Sequence, residues 1–531
     1  MSPTADSGAP TLRVTNAGAP VADEVVRAAR TAADDVRVVE TGPTGIERLS
    51  PLALATVDGT TAFHANATTD TVAAVVPSLE AGQLHRNDAD AVVDHDPATT
   101  RLPVPETGPL SVGRRRALGR CGWLDPTHPD ADRETAGPVA GRVADDPDGA
   151  LATLRTVGLR GRGRGDAVAD DPVADAWETA RDAAGDPVVV VNANEADPRA
   201  RMDATLLEGD PAGVVDGALA VAAVVGATDV VFYVSETADL ARRRVQAAAT
   251  GPGDALGVDA ALHVAVGPDE YTAGEPTMAL ESLEGADRIE ARRRPPGPAE
   301  YGLYGRPTLV HTPRTLAQIR ELLGDNDAGA FDPDASDPGT RVVTVTGDVD
   351  ARATLELPTG GSLADALDAA EPTGRVKAAC VGGRFGGLTT DLDVPPSAGA
   401  LRGSDLGTNG VIEVCDEDTC VVALAGQRAS FASAENCGRC YPGREGTKQL
   451  TGLLRDIYGG EYKDDMLREL TSVMASSSLC AFGRNAQRPA RTAMDRFETE
   501  FVAHSRGRCP AGTCEVSAQA ARSEGAGGGA D

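Results

Sequence analysis

The chain has 531 residues, with 80 acidic side chains against 50 basic ones and a formal charge of −30. Such a length exceeds one compact core and predicts several domains, and so acidic a surface repels phosphate polymers, which excludes nucleic acid as a partner. Among the basic residues only Lys377, Lys448 and Lys463 are lysines, a balance suited to a halophilic protein, because concentrated salt screens carboxylate repulsion.

No stretch approaches the ~20 consecutive apolar residues of a membrane span, and Met1 to Pro10 lack a basic region followed by an apolar one. A cytoplasmic protein without membrane insertion is expected, any contact with a membrane complex being peripheral. Of nine cysteines, six lie from Cys420 onward, and clustering of that kind points to a metal or cluster site in a reducing compartment.

In chain order, residues 1–100 hold an apolar run from Leu52 to Val57 and another from Val72 to Leu79, read as a strand and a helix of a small α/β unit. Residues 101–150 are Pro- and Asp-rich around Cys121-Gly122-Trp123 and read as a connector. From 151 to 335, buried runs such as Val188 to Val191, Val230 to Val234 and Leu262 to Val266 alternate with helical stretches, which predicts a mainly parallel sheet covered on both faces. Residues 336–415 begin strand, Gly347-Asp348 turn, strand, helix, the order of a ubiquitin-like β-grasp unit. Residues 416–505 are helical, with one face on Leu450, Leu453, Leu454 and Ile457 and another on Met466, Leu467, Leu470, Val473 and Met474. Residues 506–531 read as a flexible tail. Arg242-Arg243-Arg244 reads as a solvated helix face.

Four motifs carry chemistry. Gly158-Leu159-Arg160-Gly161-Arg162-Gly163-Arg164-Gly165 precedes the first strand of the α/β domain, where glycines admit an anion close to the backbone and arginines supply charge for phosphate. Asn192-Ala193-Asn194-Glu195-Ala196-Asp197 follows the strand at 188–191, at the carboxyl end where open α/β sheets bind ligands; an amide there can bond a heterocycle edge and carboxylates can take ribose hydroxyls. Tyr271-Thr272-Ala273-Gly274-Glu275-Pro276 places a glycine before a carboxylate at a turn. Cys437-Gly438-Arg439-Cys440, with Cys480 further on, can bring thiolates onto one metal centre. Each alone has an ordinary reading: a basic loop, a helix cap, a turn, a zinc or redox pair.

In this order and combination the motifs resemble the NADH-binding flavoprotein subunit of respiratory NADH dehydrogenase (complex I) and the related NAD-linked hydrogenase and formate dehydrogenase β subunits, over roughly residues 50–515. The resemblance extends to Gly302-Leu303-Tyr304-Gly305-Arg306-Pro307, Gly407-Thr408-Asn409-Gly410 and Arg444-Glu445-Gly446. It implies an α/β multidomain protein with a degenerate thioredoxin-like N-terminal unit, a Rossmann-like FMN domain, a ubiquitin-like SLBB-type domain and a helical bundle for a [4Fe–4S] cluster. The implied function is oxidation of NADH or NADPH through FMN, then single-electron transfer to the cluster and to other subunits of a complex. Gly161, Gly163 and Asn192 would contact FMN with Tyr271, Gly274 and Glu275 nearby; Glu195 and Asp197 would lie near the nucleotide; Cys437, Cys440 and Cys480 would hold the cluster.

The chain departs from the family at several of these places. Asp166-Ala167-Val168 and Ala176 replace a phenylalanine and a lysine of the nucleotide site, Asn194 an aspartate, Pro276 a glutamate, and His311-Thr312 two flavin-contacting asparagines. Gly443 occupies the third cluster-cysteine position, which leaves a three-thiolate site, a [3Fe–4S] cluster, or a fourth ligand such as Cys415 or Cys420. With no cysteine before Cys121, the N-terminal unit cannot hold a [2Fe–2S] cluster. The departures sustain a second reading, a non-catalytic assembly subunit that has lost nucleotide binding.

Overall fold

The computed structural model describes residues 9–128, 138–164, 170–250, 257–324 and 331–514. Strands Thr11–Thr15 (β1), Arg37–Thr41 (β2), Ala53–Val57 (β3), Thr60–His64 (β4) and Ala91–Asp94 (β5) form one sheet in the order β2-β1-β3-β4-β5. β1 runs parallel to β2 and antiparallel to β3. The two-residue loop between β3 and β4 is Asp58-Gly59, both at positive φ (48° and 77°), a backbone twist that matches a hairpin. Helices Pro20–Ala32 and Thr69–Glu80 lay Val25, Val26, Val72, Val75 and Leu79 on Leu12, Val14 and Ala53 of the sheet. The strand and helix expected at 52–57 and 72–79 are thus present, preceded by a β-α-β unit that the apolar runs did not reveal.

The stretch read as a connector is instead packed and fastened. Leu118 and Cys121 belong to the core of the central domain, while Trp123 and Leu124 enter that of the next one. The Glu356 carboxylate accepts backbone N–H groups of Arg116, Ala117 and Leu118 at 2.8–3.1 Å. Helices Val139–Asp145 and Pro147–Val157 join the central core, the first with its Val139 and Ala140 amides bound to buried Asp216.

Val188–Ala193 (β6), Asp229–Ser235 (β7), Ala261–Gly267 (β8) and Thr308–His311 (β9) make a four-stranded parallel sheet in the order β8-β7-β6-β9. Every residue of β6 is buried because helices cover both faces. Helix Pro211–Val225 is buried almost all round, starts at an Asp210 cap and stops at left-handed Gly226. From β6 the chain proceeds to β7 and β8 on one side, and β9 returns on the other. The crevice at the carboxyl ends of β6 and β9 is therefore the topological switch point, where such sheets bind ligands.

Thr340–Gly347 (β10), Ala353–Pro358 (β11), Val376–Val381 (β12), Gly387–Thr389 (β13) and Val411–Asp416 (β14) form a mixed sheet, β11-β10-β14-β12-β13, with β10 parallel to β14. Buried ion pairs join it to the central domain: Arg162 with Asp337 at 2.8 Å and Arg341 with Asp170 at 3.2 Å. Pairs this deep fix geometry more than they add stability, but loss of one partner would strand a buried charge.

Helices Val421–Glu435, Thr447–Asp456, Asp464–Ser477 and Arg488–Ser505 form the terminal bundle around Leu450, Leu454, Ile457, Leu467, Met474, Met494 and Phe501. The face expected on the third helix is only half right, since Met466 and Val473 are 53% and 47% exposed. Arg244 departs from expectation too: it is buried, donating to the carbonyls of Glu208 and Asn16 at 2.5 and 3.1 Å. Residues 506–514 fold against the bundle, with Cys509, Ala511 and Cys514 on its core, and the rest of the expected flexible tail lies outside the described residues. Among the described residues no helix is long and apolar enough to cross a membrane.

Candidate functional site

A cleft of about 210 Å³, open to solvent at its mouth, lies at the switch point. Gly161, Gly163, Asn192 and Gly274, all expected at the flavin, line it together with Arg164, Ala176, Pro276, Arg294, His311 and Thr312. The glycine loop is pinned from behind. Gly161 N donates to Asp171 O at 3.0 Å, Arg162 N to Thr315 Oγ1 at 2.9 Å, and Thr312 Oγ1 to Arg162 O at 2.6 Å. Thr312 also caps helix Pro313–Leu323, whose amino end therefore opens toward the cleft, a favourable place for an anion. Asp166-Ala167-Val168 lies outside the described residues.

The loop arginines divide in a way their spacing does not show. Arg162 is buried on Asp337 and the carbonyls of Thr340 and Pro338, and Arg160 donates to Ser336 O. Both hold domains together and neither is a phosphate ligand as read from the motif. Arg164 lines the cleft, donates to Tyr271 O at 2.8 Å and stacks over the Tyr271 ring at 4.1 Å.

Asn192 Nδ2 donates to Gly274 O at 2.8 Å, which fixes the end of β6 to the turn. Only glycine fits at 274, since a Cβ there would stand 1.7 Å from Arg164 Nη1 and 2.6 Å from Asn194 O. Across the cleft His311 is buried and accepts the Trp177 indole N–H on Nε2 at 2.8 Å, so the ring proton sits on Nδ1. Burial pushes its pKa down to about 4, and the ring is neutral.

Tyr271 does not reach the cleft with its ring. It packs edge-on against Phe385, Phe431 and Phe482 at centroid distances of 5.4, 5.3 and 6.0 Å. Glu275 caps helix Pro276–Leu283, accepting Thr277 N and Met278 N at 2.8 and 2.9 Å, with Arg294 Nη2 at 3.4 Å.

Glu195 and Asp197 line a second cleft, on the other side of β6 with Ser235, Thr237 and Asp269. Glu195 accepts Asp203 N and Ala204 N at 3.0 and 3.1 Å. Burial, reinforced by the neighbouring Asp203 charge, pushes its pKa up to about 7. Asp197 is enclosed by Arg199 in a two-pronged pair at 3.0 and 2.9 Å, which outweighs burial and holds its carboxyl below the usual range.

Cys437 and Cys440 follow helix Val421–Glu435, at a turn through left-handed Gly438 (φ 74°). Burial raises the Cys480 pKa, and the neighbouring Glu275, Cys437 and Cys440 charges act in the same direction. These three thiols share one neighbourhood. A Cβ on Gly443 would lie 3.0 Å from Cys440 Sγ, so a thiol there would have joined the group. Beside this gap stands Ser478, 4% exposed, its Oγ buried without a hydrogen-bond partner. Gly483 touches both, a Cβ on it meeting Ser478 Oγ at 2.7 Å and Gly443 Cα at 3.6 Å. The three thiols would hold an iron–sulfur cluster, with the unpartnered Ser478 hydroxyl beside the position that Gly443 leaves without a thiol. Cys420 is too distant to be the fourth ligand, because it begins the 15-residue helix that ends before Cys437, a separation of roughly 22 Å. Cys415 lies in β14, its thiol directed to Glu413 O.

Residues 154–321 match the family described as Nuo51 FMN-binding domain, and residues 423–504 match the NADH-ubiquinone oxidoreductase-F iron-sulfur binding region. The second F subunit of NADH-quinone oxidoreductase from Rhizobium meliloti (strain 1021) is 33% identical over 390 residues, 68% of this chain and 90% of that protein. The corresponding F subunit of Streptomyces coelicolor is 34% identical over 402 residues, 71% of this chain and 88% of that protein. The NADP-reducing hydrogenase subunit HndC of Solidesulfovibrio fructosivorans is 31% identical over 427 residues, 75% and 85% of the two chains. A chain of NAD+-reducing [NiFe]-hydrogenase in the air-oxidized state superposes with a TM-score of 0.64 at 26% identity, covering 94% of this chain and 85% of that one. With matched flavin and iron–sulfur regions in one α/β multidomain fold, the chain belongs to the family of NADH-quinone oxidoreductase F subunits.

Proposed function

We propose that this chain is the NADH-oxidising subunit of a larger electron-transfer complex, with FMN in the cleft between β6 and β9 and an iron–sulfur cluster on Cys437, Cys440 and Cys480. When bound, FMN supplies a two-electron acceptor for hydride and a one-electron donor to iron–sulfur. The observation that carries the reading is one continuous chain of side-chain contacts. Arg164 lines the cleft and lies on Tyr271; Tyr271 lies on Phe482, two residues past Cys480. The cleft and the cysteines are thereby linked across a packed aromatic core.

The cleft residues have separable tasks. Gly161 and Gly163 admit the cofactor close to the backbone, and Asn192, tied to Gly274 O, presents its carboxamide oxygen. Arg164 and Arg294 bring positive charge to a cleft that Ala176 also lines. Neutral His311, with its proton on Nδ1, offers a donor without a charge. Glu195 faces the second cleft, where its carboxyl, fixed by Asp203 N and Ala204 N, can accept a ribose hydroxyl. Asp197, enclosed by Arg199, serves the shape of that cleft instead of binding directly.

The N-terminal sheet order fits a thioredoxin-like unit, the central parallel sheet a Rossmann-like one, and the β11-β10-β14-β12-β13 order a β-grasp unit of the SLBB type. Other subunits are the natural electron acceptors, since relatives are named as subunits of a quinone oxidoreductase and a hydrogenase. A cytoplasmic, salt-adapted setting suits the −30 charge.

Gly443 and the substitutions in the nucleotide loop favour a second reading, a non-catalytic assembly subunit that has lost nucleotide binding. Anaerobic purification in high salt with FMN and iron supplied separates the two. Electron transfer requires flavin, iron and acid-labile sulfide with NADH-dependent ferricyanide reduction, whereas an assembly subunit leaves NADH unoxidised.

A further inference from the structure

Four residues far from the flavin cleft converge where the bundle meets the C-terminal segment. Cys420 caps helix Val421–Glu435, accepting Ala423 N on Sγ at 3.4 Å. His504 stands in the last turn of helix Arg488–Ser505, and Cys509 and Cys514 follow it with four residues between each pair. Their ligating atoms all lie within 4.8 Å of one another. His504 Nε2 is 3.2 Å from Cys420 Sγ and 3.4 Å from Cys514 Sγ. We infer that Cys420, His504, Cys509 and Cys514 form a structural zinc site, separate from the cluster cysteines, that staples the C-terminal segment to the bundle.

Three features select the metal. Tetrahedral zinc, with Zn–S near ~2.3 Å and Zn–N near ~2.0 Å, sets neighbouring donors roughly 3.5–3.8 Å apart, close to the spacings found. An iron–sulfur cluster distributes its thiolates over separate irons and needs a wider set. Hard cations such as magnesium and calcium take oxygen ligands, of which this group has none.

The surroundings complete the site. His504 Nδ1–H donates to Glu500 O at 2.6 Å, which orients the ring and leaves the Nε2 lone pair toward the thiols, the outer bond that metal-bound histidines usually make. Tyr458 stacks edge-on to the imidazole at 5.8 Å. Thr513 Oγ1 donates to Asp418 O at 2.6 Å, bringing the segment that carries Cys514 beside the one that carries Cys420. Three thiolates, a neutral imidazole and a divalent ion leave one net negative charge. All four ligands are filled, so the site is closed and structural, without an open catalytic position.

The test uses the full chain, purified anaerobically with iron and FMN in place, and compares it with Cys509→Ser/Cys514→Ser. Elemental analysis after dialysis should find about one zinc per wild-type chain, less than a tenth of that in the double variant, and equal iron and flavin in both. Cobalt supplied in zinc-free medium should give the intense thiolate-to-cobalt and tetrahedral d–d bands in the wild type alone. Proteolysis guards against a misfolded variant: strong chelator should speed cleavage between residues 505 and 514 in the wild type without releasing FMN. A wild-type chain that holds iron and FMN but no zinc would overturn the inference, as would a double variant that keeps its zinc or a cobalt protein without thiolate bands.

Discussion

The indole N–H of Trp177 donates to Nε2 of His311 at 2.8 Å, both side chains being buried beside the flavin cleft. Burial holds the imidazole neutral, its pKa pushed down to about 4, and the Trp177 bond occupies its Nε2. The unfolded chain takes up a proton on this histidine near pH 6.5, so the contribution is intact above that value and declines as pH falls toward 4. The difference of about 2.5 pH units corresponds to roughly 3 kcal/mol as an upper bound. Denaturant unfolding at pH 7 and pH 5 should show the wild type losing more stability on acidification than His311→Asn, whose amide does not titrate.

Glu195 gives the opposite sign. Its carboxyl is raised to about 7 by burial and by Asp203, so the unfolded chain ionises first and stability declines as pH climbs from about 4.5 to 7. Glu195→Gln should flatten this part of the profile while keeping the fold. NADH affinity read by titration should then vary less between pH 6 and 8 than in the wild type.

Gly274→Ala would drive a methyl into the Arg164 guanidinium and the Asn194 carbonyl. Overpacking of this kind costs about 1–3 kcal/mol, and it displaces the cation of the cleft. The variant should retain its iron and lose most of its FMN, measured as flavin released on denaturation. Retention of wild-type flavin would show that the cofactor does not depend on this turn.

Gly443→Cys should supply the missing thiolate. The substitution is feasible because the only atom a Cβ would crowd is Cys440 Sγ, at 3.0 Å. The variant should hold a four-thiolate [4Fe–4S] cluster with an altered reduction potential and greater resistance to air. Ser478→Ala in the wild-type background should make the cluster more labile, because it removes the buried hydroxyl beside the open corner. Electron paramagnetic resonance of oxidised and dithionite-reduced samples reads both effects.

What the sequence made legible was local. The parallel strands β6 and β7 carry unbroken apolar runs, and Gly161, Gly163, Asn192 and Gly274, each read from a short motif whose spacing survives folding, line one cleft. Partners from distant segments were not legible. Arg162 and Arg244 look solvated until Asp337, Glu208 and Asn16 are brought to them, and Tyr271 belongs to an aromatic core assembled from Phe385, Phe431 and Phe482. The Cys420 group spans the whole bundle, with His504 to Cys509 to Cys514 as its one local trace. The connector misled because its Pro and Asp content masked Leu118, Cys121 and Trp123, which are buried.

Electrons are expected to pass from NADH through the cleft to the cysteines. Anaerobic titration of the purified, high-salt protein with NADH, followed by visible absorption, tests this most directly. The prediction is flavin bleaching at substoichiometric NADH, followed by partial loss of the broad iron–sulfur absorption in the wild type but not in Cys480→Ser. Flavin and iron both present, with neither band changed by excess NADH, would contradict it.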